Sequence, residues 1–423
     1  MAHKESENAP AEAEAEKTSC VVVGAGPGGV ILSLLLARQK IPVVLLEAHE
    51  DFERDFRGDT IHPSVMEMLD ELGLADRLLE LRHSKLRTAT FMSPDGPITV
   101  ADLGRLRTRF PYITMIPQAV FLKFITDEAR KYPDFQLRMG ALVEELIEED
   151  GAVRGVRYRE GDDWREVRAT LTVGADGRGS RVRHMTGMEP VKTSPPMDVL
   201  WFRLPRRADD PEGVLARFGS GHLVVMLDRL DEWQVAYVIL KGSYRELRAA
   251  GLEALRQSFA GIAPEFADRA AHLQNWKQVA LLSVESSRLE RWYQPGLLLI
   301  GDAAHVMSPI GGVGINYAIQ DAIAAANLLA EPLRAGNVEV EHLAGVQRRR
   351  ELPTRFIQSV QTFIQRRVIA GALDPNRQFR LPAPVRFLLR VPLLRNIPAR
   401  ILAFGFWPAR LRRRVVRTDS KPG

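Results

Sequence analysis

The chain has 423 residues, 45% of them hydrophobic, with a formal net charge of +5, enough for one large core or for two domains sharing an interface. Its single cysteine excludes an internal disulfide and any zinc or iron–sulfur centre held by thiolates, so redox chemistry would need a bound organic cofactor. Charge is uneven: residues 386–423 carry ten basic residues against one acidic, Asp419, and the remainder is net negative, which argues against nucleic-acid binding as the source of the positive balance.

Residues 1–17 are Ala/Glu-rich, carry neither a secretory nor an organelle-targeting pattern, and read as a disordered tail. A β-branched run over 18–23 is followed by a glycine turn, a helical run over 30–38 and a second apolar strand over 43–46; Cys20 falls in the first run and reads as a small buried hydrophobe. A helix is expected over 64–72, alternating strand over 85–102 with breakers at Pro94, Asp95 and Gly96, a helix from Gln118 to about Lys131, and an antiparallel set over 141–169. Strands at 199–204, 222–227 and 234–240 with one helix near 253–259 mark a second unit. From Gly314 the pattern is helical to Ala330 and again over 346–369, after which the prolines at 375, 382, 384, 392, 398 and 408 cut the end into short pieces. The domains read as 18–84, 113–190 and 286–345 for a nucleotide-binding unit, 85–112 and 191–285 for a substrate unit, and 346–423 for a C-terminal helical region. No run reaches the about 20 apolar residues of a membrane-spanning helix, and the expected location is the cytoplasm. Arg386, Arg390, Arg395 and Arg400 interleaved with apolar residues fit either a helical cap with a solvated arginine face or a peripheral membrane contact.

Three motifs carry chemistry. Gly24-Ala-Gly26-Pro27-Gly28-Gly29 follows a strand and opens a helix: Gly24 permits the tight turn, Gly26 lets backbone approach a pyrophosphate, and Gly29 lets helix and strand pack closely. The helix N-terminus then faces an anion. Glu47 ends the second strand, where a carboxylate can accept ribose hydroxyls and would repel a 2′-phosphate, so this motif suits FAD or NAD and does not separate them. The second motif, Val173-Gly-Ala-Asp176-Gly177-Arg-Gly179-Ser180-Arg181, delivers an aspartate into a glycine loop. The third, Leu298-Leu-Ile300-Gly301-Asp302-Ala-Ala-His305, ends a strand in a glycine–aspartate pair that can meet a ribityl hydroxyl, and a helix from Gly314 points its positive end forward. His305 reads as a structural hydrogen-bonding residue, and neither an HExxH nor a GxSxG motif occurs.

In this order the three motifs resemble the para-hydroxybenzoate hydroxylase family, the single-component FAD-dependent monooxygenases, over about 300 residues. The resemblance implies that Gly24, Gly26, Pro27, Gly28, Gly29, Glu47 and Ala48 lie along the ADP part of FAD. It further implies that Arg57 reaches the pyrophosphate region, Gln118 lies along the flavin, Asp176 belongs to a motif shared by FAD and NAD(P)H, and Gly301 and Asp302 meet the ribityl chain. Pro309, Gly311, Gly312, Val313, Gly314, Ile315 and Asn316 would then contact the isoalloxazine edge. The sequence departs from many relatives at Ala48, where arginine is frequent, and at Met307-Ser308, where a proline-rich pair is. The fold implied is mixed α/β (α+β): a Rossmann-like FAD-binding domain, an inserted antiparallel-sheet substrate domain and a C-terminal helical region.

The implied chemistry is docking of NADPH or NADH, hydride transfer to FAD, formation of a C4a-hydroperoxide from O2, and hydroxylation or epoxidation of a small hydrophobic organic substrate: an aromatic, a polyketide or a quinone-like compound. A flavin dehydrogenase or reductase without oxygen insertion is the alternative. Trp201, Arg203, His222 and Tyr237 are the candidates for the substrate wall, with His222 placed on one strand face with Val224 and Met226.

Overall fold

In the computed structural model, residues 16–53, 59–93, 96–219, 221–373, 391 and 396–412 are described. Four strands whose ends at 20–23, 43–46, 171–174 and 297–299 are buried form the parallel centre of one sheet, as expected of strands covered by helices on either side. Glu16–Val23 pairs in parallel with Val43–Leu46 and with Asp163–Gly174; the last of these pairs in parallel with Leu297–Leu299, and Phe135–Arg138 extends the other edge. The helix Pro27–Ala37, apolar nearly all round, joins the first two strands and packs against the helix Gly314–Arg334. Ala141–Glu149 and Ala152–Glu160 form a hairpin on the long Asp163–Gly174 strand, its turn set by Asp150 and Gly151, both at positive φ.

A second sheet has seven strands and is antiparallel except at one joint. Its centre is Met197–Pro205, Glu232–Leu240, His222–Asp228 and Val214–Gly219; Thr88–Ser93 joins the last in parallel and pairs with Gly96–Asp102. Both faces are apolar, for different reasons. Leu200, Phe202, Leu204, Val224, Met226, Trp233, Val235 and Tyr237 pack under the helix Leu252–Ile262 and the turn Pro264–His272. The alternate residues, among them Val199, Trp201, Val225, Ala236 and Val238, face inward toward the first sheet and a large cavity.

The helix Val340–Ile364 runs across the back of the nucleotide-binding unit with a buried polar seam at helical spacing: Gln347, Arg350, Thr354, Gln358 and Gln361, continued by Gln365 in the following π-helical turn. Gln347 Nε2 donates to Glu290 O, Gln358 Nε2 to Ser287 O and Val306 O, and Gln361 Nε2 to both Ser308 O and Ile310 O. The seam supplies donors to carbonyl oxygens of the short paired strands Ser286–Arg288 and His305–Val306 and of the chain just beyond them. A last helix, Ile397–Phe404, packs near His62, whose Nδ1 lies 2.6 Å from Leu402 O. Arg400 is exposed on that helix, whereas Arg386, Arg390 and Arg395 lie outside the described residues. Among the described residues no helix is long and apolar enough to cross a membrane.

Candidate cofactor and substrate cavity

A cavity of about 1450 Å³ runs from the first glycine turn to the inner face of the seven-stranded sheet. At one end its wall is backbone. Gly24 sits at φ +100°, and a Cβ there would come 2.6 Å from both Ala175 O and the Asp176 Cα, so the first and second motifs press on each other. At Gly26 the nearest atom to such a Cβ is 3.9 Å away, which leaves the chain open toward the cavity. Gly26, Pro27 and Gly28 line the cavity at the N-terminus of Pro27–Ala37, with Pro27 in the first turn. Gly29 faces the strand instead: its Cβ would overlap Gly24 O at 2.0 Å. This bare, positive helix end fits a pyrophosphate.

Glu47 is buried and lines the same end. Its Oε2 accepts from Ala25 N at 2.8 Å, and its Oε1 accepts from His49 N at 3.1 Å with His49 Nδ1 at 2.6 Å, so the carboxylate is oriented across the turn. Ala48 is exposed beside it at the cavity edge. Asp176 also lines the cavity, but its carboxylate turns inward: Oδ1 accepts from Ser180 Oγ at 2.5 Å and Oδ2 from Val182 N at 3.0 Å. Burial pushes its pKa up despite those donors. It shapes the loop, and Arg178 and Arg181 of that loop line the opening.

Gly301 and Asp302 lie in the turn Gly301–Ala303, both against the cavity. Behind them Asp321 is completely buried: Oδ2 accepts from Gly301 N at 3.0 Å and meets His305 Nε2 at 2.6 Å, and Oδ1 accepts from Arg350 Nε at 2.8 Å. Burial alone would raise the Asp321 pKa; the His305 and Arg350 partners outweigh it and hold the carboxyl below its ordinary value. His305 is therefore a clamp on the turn. Pro309, Gly311, Gly312, Val313, Gly314 and Ile315 line the cavity where Gly314–Arg334 begins. Asn316 does not reach it: its Oδ1 accepts from His62 N at 2.9 Å, which ties the loop to the strand Thr60–Ile61. Gln118 lines the cavity, and its backbone N donates to Asp59 Oδ1 at 3.3 Å. Arg57 lies outside the described residues.

The four wall candidates divide. Trp201 lines the cavity. Arg203 is exposed and its Nε lies 3.3 Å from Glu232, away from the lining. His222 and Tyr237 occupy the opposite, helix-covered face: their rings lie 4.9 Å apart, the Tyr237 hydroxyl is 2.6 Å from Ser258 Oγ, and burial pushes Tyr237 up to about 12 and His222 down. His222 does share its face with Val224 and Met226, and that face packs under helices. Both faces of these strands are apolar, so alternation pairs residues without telling which side is inward.

Sequence reasoning missed several residues. Asp59 lines the cavity and is buried, 3.2 Å from Arg229 Nε on the second sheet's turn; burial raises its pKa and Arg229 opposes the rise. Phe91 and Phe218 stack at 5.4 Å and 13° within the lining, and Gln234 and Gln361 belong to it, each with a buried Oε1 that has no partner among the described residues. No local signal joins Phe91 to Phe218, which meet only across the parallel joint of the sheet.

The sequence model of a family described as an FAD binding domain matches residues 17–359. A 6-methylpretetramide 4-monooxygenase from Streptomyces rimosus is 32% identical over 402 residues, 95% of each chain. A 12-dehydrotetracycline 5-monooxygenase/anhydrotetracycline 6-monooxygenase from Streptomyces rimosus subsp. rimosus is 29% identical over 72% of this chain and 60% of its own length. Among solved structures, the fold is shared with PqsL, a probable FAD-dependent monooxygenase from Pseudomonas aeruginosa, at TM-score 0.73 and 22% identity, covering 88% of this chain and all of that one.

Proposed function

The chain belongs to the FAD-dependent aromatic monooxygenase family, and from that premise we propose that it hydroxylates a multi-ring aromatic or polyketide substrate with NAD(P)H and O2. The balance is NAD(P)H, a proton, O2 and the ring C–H on one side, and NAD(P)+, water and the ring C–OH on the other. The observation that carries this reading is the continuity of one cavity between the dinucleotide turn and the apolar inner face of the second sheet. Relatives named for pretetramide and anhydrotetracycline oxygenation support a substrate of fused rings.

Bound FAD would supply the acceptor for a nicotinamide hydride and the means of activating O2. Around it, the backbone of residues 24–28 and the helix end would hold the pyrophosphate, Glu47 the ribose, Asp302 the ribityl chain, and residues 309–315 one edge of the ring system. Asp321, His305 and Arg350 hold the Gly301 turn in place without reaching the cavity. The sheet wall keeps water off and orients the substrate ring; an electron-rich ring needs orientation and dryness more than a strong base.

The test is NAD(P)H oxidation by the FAD-loaded protein under 18O2 with a panel of fused-ring phenols, products read by mass. One 18O atom in the product, and none from labelled water, is expected. Substrate oxidised without label would overturn oxygen insertion and leave a dehydrogenase.

A further inference from the structure

We propose that Gln234 is the hydrogen-bonding anchor of the substrate wall, and that the ring system bound there is neutral and carries a hydroxyl or ketone on the edge facing this carboxamide. The inference rests on reading the cavity as the substrate site and narrows the class of compound that fits it.

Gln234 stands on Glu232–Leu240, in register with Leu227 on one side and Arg203 on the other. Alternation places it on the face shared with Ala236 and Val238, and it lines the cavity with them. It is 3% exposed, and its Oε1 is buried with no partner among the described residues. A buried amide left unmatched is costly, so such a group in a cavity wall calls for a ligand or a water to complete it. A carboxamide both donates and accepts, which matches a phenol, a ketone or an adjacent pair of them.

The surroundings decide the charge of the partner. On the four central strands the other cavity-lining side chains are apolar apart from the Trp201 indole. Arg203, directly opposite, is exposed, outside the lining and paired with Glu232. A substrate carboxylate would lose its hydration here, and no cation stands among the cavity-lining residues of these strands to offset the loss; Arg178 and Arg181 line the cavity from the loop of the second motif. The stacked Phe91 and Phe218 rings add a flat aromatic surface to the same cavity. A wall of this kind ranks ligands mainly by whether their polar group reaches Gln234, the one residue of these strands with an unpartnered acceptor in the lining, because a site that hydrogen-bonds a hydroxyl rejects the analogue lacking it more strongly than an apolar pocket ranks shapes.

The experiment is titration of the FAD-loaded protein with naphthalene, 2-naphthol and 2-naphthoate, following the visible spectrum of the bound flavin. The wild type is expected to bind 2-naphthol about tenfold more tightly than either of the others, the net worth of one hydrogen bond. In Gln234→Leu the advantage over naphthalene should fall below about threefold, with naphthalene affinity and FAD content unchanged. Gln234→Met, closer in length, repeats the measurement should the leucine variant fail to fold. Retention of the full advantage in a folded variant overturns the proposal, as does a wild type that prefers 2-naphthoate, treats naphthol and naphthalene alike, or binds none of the three. Binding is read without NAD(P)H or turnover, so this result and the labelled-oxygen result can fail separately.

Discussion

At the nucleotide end the cavity wall is backbone: glycines whose missing side chains leave room, a helix end, and carboxylates held by main-chain donors. At the sheet end it is side chain, with Trp201, Val225, Ala236, Phe91 and Gln234 set by alternation on strands that are apolar on both faces. At Gly24 and Gly29 the backbone wall tolerates no added atom, whereas a side-chain wall can be resized one methyl at a time without touching the first glycine turn. The two ends should therefore answer mutation in opposite ways, the first by losing FAD and the second by changing which ring is accepted.

The largest effect is expected at Gly24. A side chain there must adopt φ near +100° and place its Cβ 2.6 Å from the Ala175 carbonyl oxygen. The contact is with backbone and cannot be relieved by a rotamer change, so Gly24→Val combines strain of about 1–3 kcal/mol with displacement of the second motif. The variant should purify without the flavin absorption band, if it folds at all. Stoichiometric FAD in Gly24→Val would break the contrast between the two ends.

That asymmetry also explains what the sequence discloses. The turn at 24–29, Glu47 and the 301–302 pair are legible because each requirement is local: a positive φ, a close approach, a carboxylate at a strand end. The fold class follows from the same runs, since strand, turn, helix and strand are read from residues 18–46 alone. The sheet wall is different. Residues 222–240 alternate between two apolar faces, one under helices and one on the cavity, and only the packing of Leu255, Phe259 and Phe266 determines that Tyr237 turns away and Gln234 turns in. Asp59 and Arg229, or Phe91 and Phe218, come together from distant parts of the chain, and no spacing rule anticipates such meetings.

An intermediate effect belongs to the joint between the 309–316 loop and the C-terminal helix. His62 is 1% exposed, with Nδ1 2.6 Å from Leu402 O and Nε2 buried without a partner among the described residues. Burial lowers its pKa to about 4 from an ordinary 6.5. Between those values the unfolded chain takes up a proton that the folded chain refuses. The stability associated with neutral His62 is thus fully present above pH about 6.5 and is lost as pH falls toward 4, by about 3 kcal/mol at most. His62→Asn keeps a donor within reach of Leu402 O and has no proton to gain. Its unfolding midpoint should fall less than that of the wild type across this window. Parallel curves for the two proteins would show that the acid sensitivity of the joint lies elsewhere.

The smallest effect on the fold, and the sharpest on selectivity, is expected on the sheet wall. Val225 is half-buried on the cavity face, in register with Ala216 and Ala236. Val225→Leu adds one methylene to a wall that borders open space, so overpacking has somewhere to go and stability should change by about 1 kcal/mol or less. The same methylene takes volume from the ring site, where one methylene is worth about 1–3 kcal/mol in discrimination. For any fused-ring compound that stimulates NAD(P)H oxidation, KM should rise for the larger of two homologous rings and stay nearly level for the smaller, with FAD content intact. Loss of FAD in this variant would mean that the wall and the cofactor turn are mechanically coupled. An equal rise in KM for both rings would mean that the ring lies against another part of the cavity, with the Phe91 and Phe218 stack the next surface to resize.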